Sequence, residues 1–307
     1  MSDRPLPRRA HAVVLKLGGE LLEDARRVEA LSATIAKQCE TSPLVVVHGG
    51  GREIDSALAR AGIEKRQVDG LRITDDATLD VVVSVLAGLI NTRLVAALTA
   101  AGASAIGLTG ADAGLGLVEP AARHVTVSGL TVDLGRVGEP VGTGRPRLLD
   151  DLCARGYVPV VATVGVGRDG RLFNVNADTL AAHLAGRLRS PRLVMAGSTA
   201  GVLDARGETI ATLGLPELDA LVTTGGATAG MVAKLTACRD AIRNGVREVF
   251  VADGCDLDEL AAILRRGSRA GAMRATRIVA DTAGSGRRNV RQSVLSRNAA
   301  PQLVHVP

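Results

Sequence analysis

Four lysines stand among 33 arginines in this chain of 307 residues: Lys16, Lys37, Lys65 and Lys234. Where Arg serves at nearly every basic position, a retained Lys marks a place that a planar guanidinium does not fit. Lys16 closes an apolar run, with one residue between it and Gly18-Gly19. Lys234 follows the glycine-rich stretch 225–230, which ends in Gly230. A compact ammonium meets a phosphate oxygen as a point charge, so the chemistry indicated is stabilisation of a phosphoryl group. The plain alternative is that two lysines fall beside glycines by chance.

Other residues extend the pattern. Gly18-Gly19 and Gly49-Gly50-Gly51 each follow a short aliphatic run. Bare backbone amides approach an anion closely, and a following helix N-terminus adds favourable charge. Neither turn has the spacing GxGxxG or GxxxxGK[ST], which disfavours a Rossmann dehydrogenase and a P-loop kinase. In 173–178, Asn174, Asn176 and Asp178 alternate, so an extended strand aims all three to one side. Three converging polar groups ask for a ligand or for each other; the structural alternative is that Asp178 caps a helix. Arg72, in 70–75, carries a fork suited to a carboxylate, although a lone Arg in so Arg-rich a chain is ordinarily surface.

The elements that must position these residues alternate along the chain. Aliphatic runs at Ala12–Leu17, Pro43–Val47, Ala105–Leu108, Val158–Val164, Arg192–Ala196 and Glu248–Ala252 each end in a turn signal and predict buried strands. Arg52–Ala61, Ala77–Ala101, Ala177–Leu188, Val232–Asn244 and Leu257–Arg266 carry apolar residues at helical spacing. Strand–helix alternation gives an α/β fold with a mainly parallel sheet, in which ligands bind at the carboxyl ends of strands. The alternating segment His124–Pro140 predicts a hairpin outside that sheet, and Gln302–Val306 an added edge strand.

Composition sets the outer bounds. With no Trp, one Tyr and two Phe, the core must be aliphatic, and a stacking single-strand binder is disfavoured. The net charge of +5 owes four arginines to 282–307, and the remainder carries +1, so no nucleic-acid-binding body is implied. That basic tail is expected to be flexible. Four scattered cysteines read as free thiols of a cytoplasmic protein. No run approaches the roughly 18 apolar residues of a membrane span, and no signal peptide precedes the first strand.

Taken together, Lys16-Leu17-Gly18-Gly19, Val47-His48-Gly49-Gly50-Gly51, Gly70-Leu71-Arg72-Ile73-Thr74, Gly156–Val161, Asn174–Asp178 and Gly230–Lys234 resemble, in order, the amino-acid kinase family, and within it the N-acetylglutamate kinase branch. The resemblance covers about residues 11 to 280. It implies a three-layer αβα sandwich, with 1–10 as an extension, an acyl-amino-acid lobe over about 11–185 and a nucleotide lobe over about 186–281. It implies that Lys16 and Lys234 stabilise the transferring phosphoryl group and that Asp178 orients them. Gly50, Gly51, Arg72, Asn174 and Asn176 would contact the acyl amino acid, and the amides of Gly18, Gly19 and Gly230 the phosphates. ATP and Mg²⁺ are the implied cofactors, with no metal ligand assigned among the residues, and a homodimer the implied assembly. The chemistry agrees: a carboxylate acceptor is already ionised at neutral pH and needs no general base, only alignment and positive charge.

The departures are specific. After the strand Arg192–Ala196 the family carries a Thr-Asp or Ser-Asp pair before a Gly-Val-Leu word, and here the loop 197–201 before Val202-Leu203 holds no acid. The loop 223–230 is longer than usual, and the family's late Gly-Thr pair is Ala275-Thr276. About ten residues precede the first strand, where arginine-inhibited members carry an extra helix, so a dimer without strong arginine inhibition is expected. Two other readings stay open: a kinase for an acetylaminoadipate- or succinylglutamate-type acid, and a ligand-binding regulator that has lost catalysis.

Overall fold

The computed structural model describes residues 11–126, 129–223, 229–266 and 274–281. Its centre is an eight-stranded sheet: β1 (Val13–Leu17), β2 (Leu44–His48), β3 (Ala105–Thr109), β4 (Val158–Ala162), β5 (Arg192–Gly197), β6 (Thr212–Gly214), β7 (Glu248–Asp253) and β8 (Thr276–Val279). Their order across the sheet is β6-β8-β7-β5-β1-β2-β4-β3. The six strands from β7 to β3 run parallel. β8 pairs antiparallel with β7, and β6 runs parallel to β8. The mainly parallel sheet expected from the alternation is present.

Eight helices are named here: α1 (Ala25–Cys39), α2 (Gly51–Arg60), α3 (Asp76–Ala100), α4 (Arg147–Ala154), α5 (Ala177–Leu188), α6 (Leu215–Thr223), α7 (Ala229–Arg243) and α8 (Leu257–Arg266). Side-chain alternation along the strands makes the three layers. Val13, Leu15 and Leu17 face α1, α3 and α8, whereas Val14 faces α4, α5, α6 and α7. The central strands β1, β2, β4 and β5 are buried along their whole length and mostly apolar because both faces of the sheet are covered there.

The strand order diverges at β1. β2, β4 and β3 lie to one side and β5, β7, β8 and β6 to the other. Such a divergence leaves a crevice outside the carboxyl end of the strand, and that is the end of β1 where Lys16 and Gly18-Gly19 stand.

Some expectations need amendment. The run Val158–Val164 is divided: β4 stops at Ala162, and Val164–Val166 pairs with Leu172–Asn174 in a separate ribbon. The sequence reading places no element at α1, α4, α6, β6 or β8. α1 carries Val28, Leu31, Ile35 and Cys39 at helical spacing, and Asp24 caps it by accepting from the Arg27 N–H at 2.8 Å. The hairpin over His124–Pro140 is present as two ribbons outside the main sheet, Val118–Pro120 with Gly138–Pro140 and His124–Val125 with Thr131–Val132. Residues 1–10, the tail 282–307 with its expected edge strand, and the segment 224–228 lie outside the described residues.

α3 also differs from its reading. It is 25 residues long, and its most apolar window reaches a mean hydropathy of 2.0, long and apolar enough to cross a membrane by length and composition. Asp76, Asp80, Asn91 and Arg93 interrupt it in sequence. In the fold its Leu94 and Leu98 join the core beside α1 and β4, and 39% of the apolar window is buried. Its middle, Ser84–Ile90, is a π-helix, a distortion that often serves a site.

That site is the turn after β2. His48, fully buried, receives the amide of Asn91 on Nε2 at 3.0 Å, and its Nδ1 lies 3.1 Å from the Gly49 carbonyl. These contacts fit a neutral ring with the proton on Nδ1. Asn91 also donates to the Val160 carbonyl at 2.9 Å, so one amide ties α3 to β2 and β4. Burial lowers the His48 pKa from 6.5 to about 4. In the unfolded chain this ring binds a proton near pH 6.5, in the folded chain only near 4. The stability it contributes is complete above 6.5 and is lost as pH falls toward 4, a change of about 3 kcal/mol. His183, lowered to about 4 by burial and by Arg187, acts in the same direction. Urea unfolding at pH 7 and pH 4 is expected to show this loss, and His48→Gln should abolish the His48 share. An equal loss in the variant would remove the assignment.

Candidate active site

Lys16 lies in β1 on the same face as Val14, toward α5 and α7. It is 7% exposed. Its Nζ is 2.9 Å from Asp178 Oδ1. Lys234, on α7, reaches the same carboxylate, with Nζ 3.3 Å from Oδ1 and 3.2 Å from Oδ2. One buried acid therefore holds two ammoniums, and the trio carries one net positive charge.

Asp178 is the second residue of α5. The expectation that Asn174, Asn176 and Asp178 share one face of a strand fails because the helix begins at Ala177. The cap is Asn176, not Asp178: its Oδ1 accepts from the N–H groups of Asp178 at 2.9 Å and Thr179 at 3.1 Å. Capping by Asn176 leaves the Asp178 carboxylate free for the lysines, and it commits the oxygen of Asn176, leaving only that residue's amide nitrogen for a substrate.

The electrostatics follow from burial and the shared acid. Burial pushes Asp178 up, but Lys16 and Lys234 outweigh it and hold the carboxyl below its usual range. Burial lowers Lys16; Asp178 opposes this, Lys234 adds to it, and the net is a lowered value. Burial also lowers Lys234, but there Asp178 prevails and the value is raised. The opposite directions reflect enclosure: the Lys16 side chain is 9% exposed and that of Lys234 16%. Cys238, one turn from Lys234, is buried and pushed up to about 12, so it stays a neutral thiol.

The glycine turns meet at this point. A Cβ on Gly19 would stand 2.8 Å from Gly50 Cα and 2.9 Å from Gly51 N, so the turns after β1 and β2 touch backbone to backbone. A Cβ on Gly50 would collide with Ile90 of the π-helical segment. Gly19→Ala is therefore expected to lower stability by about 1–3 kcal/mol, as overpacking does, measured by denaturant unfolding. A neutral result would mean that the turns separate freely. Gly18 corrects its reading as a phosphate amide, because its N–H donates to the Ala196 carbonyl at 2.9 Å. The N–H groups of Gly19, Gly50 and Gly51 have no hydrogen bond among the described residues. Gly230 lies in the first turn of α7, with its N 4.0 Å from where a Cβ on Gly70 would stand.

Gly70 turns a two-stranded ribbon, Gln67–Val68 with Leu71–Arg72. Asp69 and Gly70 both have positive φ, 47° and 81°, as a two-residue hairpin turn demands. The ribbon presents Arg72, whose side chain is 11% exposed and pairs with Asp55 of α2. Lys65 holds the other Asp55 oxygen at 2.8 Å. Burial raises the Asp55 pKa, but Lys65 and Arg72 together keep it below its ordinary value. Arg72 Nη2 also lies 3.4 Å from the Gly51 carbonyl, while Nη1 is buried with no partner among the described residues. Asn174 donates to Thr74 Oγ1 at 3.2 Å, and Thr74 donates to the Arg72 carbonyl at 3.1 Å. The sequence-chosen residues thus form two groups, Lys16–Asp178–Lys234 and Arg72–Asn174, joined through Gly19, Gly50, Gly51 and the Gly70–Gly230 approach.

One residue escaped the sequence reading. Glu20 follows Gly18-Gly19 directly, and its carboxylate lies over Gly18, close enough that a Cβ there would collide. Its position beside a glycine pair after a strand was the available signal.

The sequence model of the amino acid kinase family matches residues 11–253. Curated relatives are acetylglutamate kinases. That of Methanopyrus kandleri is 45% identical over 241 residues, covering 78% of this chain and 93% of the relative. That of Caulobacter vibrioides is 42% identical over 254 residues, covering 79% and 83%. Among solved structures, N-acetylglutamate synthase from Neisseria gonorrhoeae, complexed with coenzyme A and N-acetyl-glutamate, superposes with a TM-score of 0.72 at 24% identity. This chain spans 60% of that protein's length, and the match covers 89% of this chain. Carbamate kinase from Giardia lamblia bound to AMP-PNP gives 0.63 at 16% identity over 90% of this chain and 100% of that one. The solved structures share the fold.

Proposed function

This chain belongs to the amino acid kinase family, and from that premise we propose that it transfers the γ-phosphoryl group of ATP to the side-chain carboxylate of N-acetyl-L-glutamate, a step of arginine biosynthesis. The observation that carries the reading is the Asp178 carboxylate bridging Lys16 and Lys234 beneath two touching glycine turns.

An acceptor carboxylate oxygen attacks the γ-phosphorus, and the bond from phosphorus to the β,γ-bridging oxygen breaks. The products are an acyl phosphate and ADP. No proton moves, because the acceptor is ionised at neutral pH. What the protein contributes is alignment and positive charge around the migrating group. Lys16 and Lys234 meet the phosphoryl oxygens, Asp178 keeps both ammoniums aimed, and the N–H groups of Gly19, Gly50 and Gly51 donate to the anions. Gly230 brings the α7 N-terminus toward the phosphates. Arg72 holds the α-carboxylate of the acid through its unpartnered Nη1, and Asn174 and the amide of Asn176 flank it. A divalent cation would arrive with the nucleotide phosphates. Mg²⁺, when bound, neutralises phosphate charge.

The turn after β2, the ribbon that carries Arg72 and the segment from Asn174 to the Asn176 cap carry the acyl-amino-acid residues, which supports a first lobe over about 11–185. β5–β8 then form the nucleotide lobe over about 186–281. We assign a cytoplasmic location, where ATP is supplied, and a homodimer through the face of α2 and α3 where the half-buried Ala57, Val81 and Leu89 lie among Arg60, Asp80 and Ser84. Light scattering should give twice the chain mass, and a monomer would remove that assignment.

The test of the activity offers MgATP with N-acetylglutamate, N-acetylaminoadipate, N-succinylglutamate or glutamate, and traps acyl phosphate with hydroxylamine. Hydroxamate is expected with N-acetylglutamate at the highest kcat/KM. No hydroxamate with any acid would overturn the reading.

A further inference from the structure

The Glu20 carboxylate is out of place in a site built to attract phosphate. It stands in the short turn Gly19–Leu21, held there by its own backbone, whose carbonyl accepts from Arg27 Nη1 at 2.9 Å. The carboxylate itself makes no hydrogen bond or ion pair among the described residues. It leans over Gly18, and Oε1 lies 3.0 Å from where a Cβ on Gly197 would stand. Both glycines leave the space it fills. Its charge reaches Lys16 and Lys234, but both lysines pair with Asp178 instead.

An unpaired carboxylate beside bound phosphates repels them unless a cation lies between. Mg²⁺ is characteristically held by one or two carboxylates together with substrate phosphates, keeping several waters. Of the acids beside the glycine turns, Asp178 is committed to two ammoniums, and the loop 197–201 contains no acid. Asp253, level with Gly197 at the end of β7, accepts from the Cys255 N–H at 2.8 Å. Glu53, in the first turn of α2, has one oxygen buried without a partner among the described residues. Glu20 is the carboxylate that lies directly over Gly18 with neither oxygen hydrogen-bonded among the described residues.

We propose that Glu20 is a protein ligand for the divalent cation that accompanies the nucleotide, holding it with phosphate oxygens above the Gly18–Gly19 turn. The assignment rests on the kinase reading and adds a residue to it. Glu20 thereby makes the site discriminate between metal-bound and metal-free ATP: with the cation it attracts, without it the same charge repels.

Calorimetric titration of the full chain with ATP, without acceptor acid and at constant ionic strength, tests this. The native chain is expected to bind ATP with Mg²⁺ at least about tenfold more tightly than ATP with EDTA, since one unit charge near the phosphates is worth that much. Glu20→Gln should reduce this preference to within about threefold, chiefly by tightening metal-free binding. Glu20→Asp, which keeps the charge, should retain part of it. With MnATP in place of MgATP, the Mn²⁺ electron paramagnetic resonance spectrum of the bound complex should differ between native chain and Glu20→Gln. An unchanged preference and an unchanged spectrum in Glu20→Gln would overturn the assignment while leaving the kinase reading intact. Equal weakening of both forms of ATP would also overturn it, by making Glu20 structural. A native chain that binds ATP in neither form overturns both.

Discussion

Lys234→Met is expected to lower kcat by about 10³-fold while the protein stays folded, the scale set by removing a preorganised charge from a phosphoryl-transfer site. The side chain lost is an ammonium within 3.3 Å of both Asp178 oxygens. Met keeps the length and apolar stem but brings no charge to the migrating group. Asp178 stays paired with Lys16, so the buried acid is not orphaned and the loss falls on the rate. Lys234→Arg is the sharper probe. Arg keeps the charge, but its planar fork needs more room than the enclosed Asp178 carboxylate leaves. It should therefore also lose most activity, and full activity in Lys234→Arg would refute the reasoning from lysine scarcity. The pH profile adds a sign. Lys16 has a lowered pKa and is the first ammonium of the pair to lose its proton as pH rises. The alkaline limb of kcat/KM, which reports the free enzyme, should fall below 10.5, the ordinary lysine value. In Lys234→Met it should move upward, because the neighbouring charge that depresses Lys16 is gone.

Arg72→Leu is expected to raise KM for the acid by about 100-fold, with a smaller effect on kcat, as a charge-assisted contact to the substrate carboxylate is lost. The guanidinium is buried, with Nη2 on Asp55 and near the Gly51 carbonyl. Its Nη1 has no partner among the described residues, and a buried donor left unmet costs about 1–3 kcal/mol. A substrate carboxylate removes that cost, so the site is poised for an anion. Arg72→Lys keeps charge without the fork and should recover about tenfold of the loss. Steady-state kinetics with each acid at saturating MgATP measures both. An unchanged KM in a folded Arg72→Leu protein would sink the assignment of Arg72 to the substrate.

Much of the architecture was legible because burial leaves a periodic trace. The aliphatic runs that became β1, β2, β5 and β7 are apolar at consecutive positions, as covered strands must be, whereas the edge strand β3 is apolar though only partly buried. α5, α7 and α8 show the helical period. Brief elements left less trace: β6 has three residues. The long α3 was visible, but not its π-helical middle, which depends on what it holds. Gly50 leans on Ile90, and Asn91 is bonded to His48, and both contacts are between segments distant in sequence.

For the site, the sequence by itself determined residue type and local setting: lysines beside glycines, a polar alternation before a helix, an arginine in a turn. Only the tertiary structure decided which of them meet. Asp178 and Lys234, separated by 56 positions, share a contact because α5 and α7 cross one face of the sheet. The register of β1 against β5 and β2 brings Lys16 level with Met195 and Val47 and carries Gly18 onto the Ala196 carbonyl, which takes away the amide that a linear reading would offer to phosphate. The same register sets the glycine turns against each other and leaves Glu20 between two of them. The physical reason is range. Periodicity and capping report bonds a few residues long, whereas charge pairing and amide availability depend on strand register and helix packing across the whole chain.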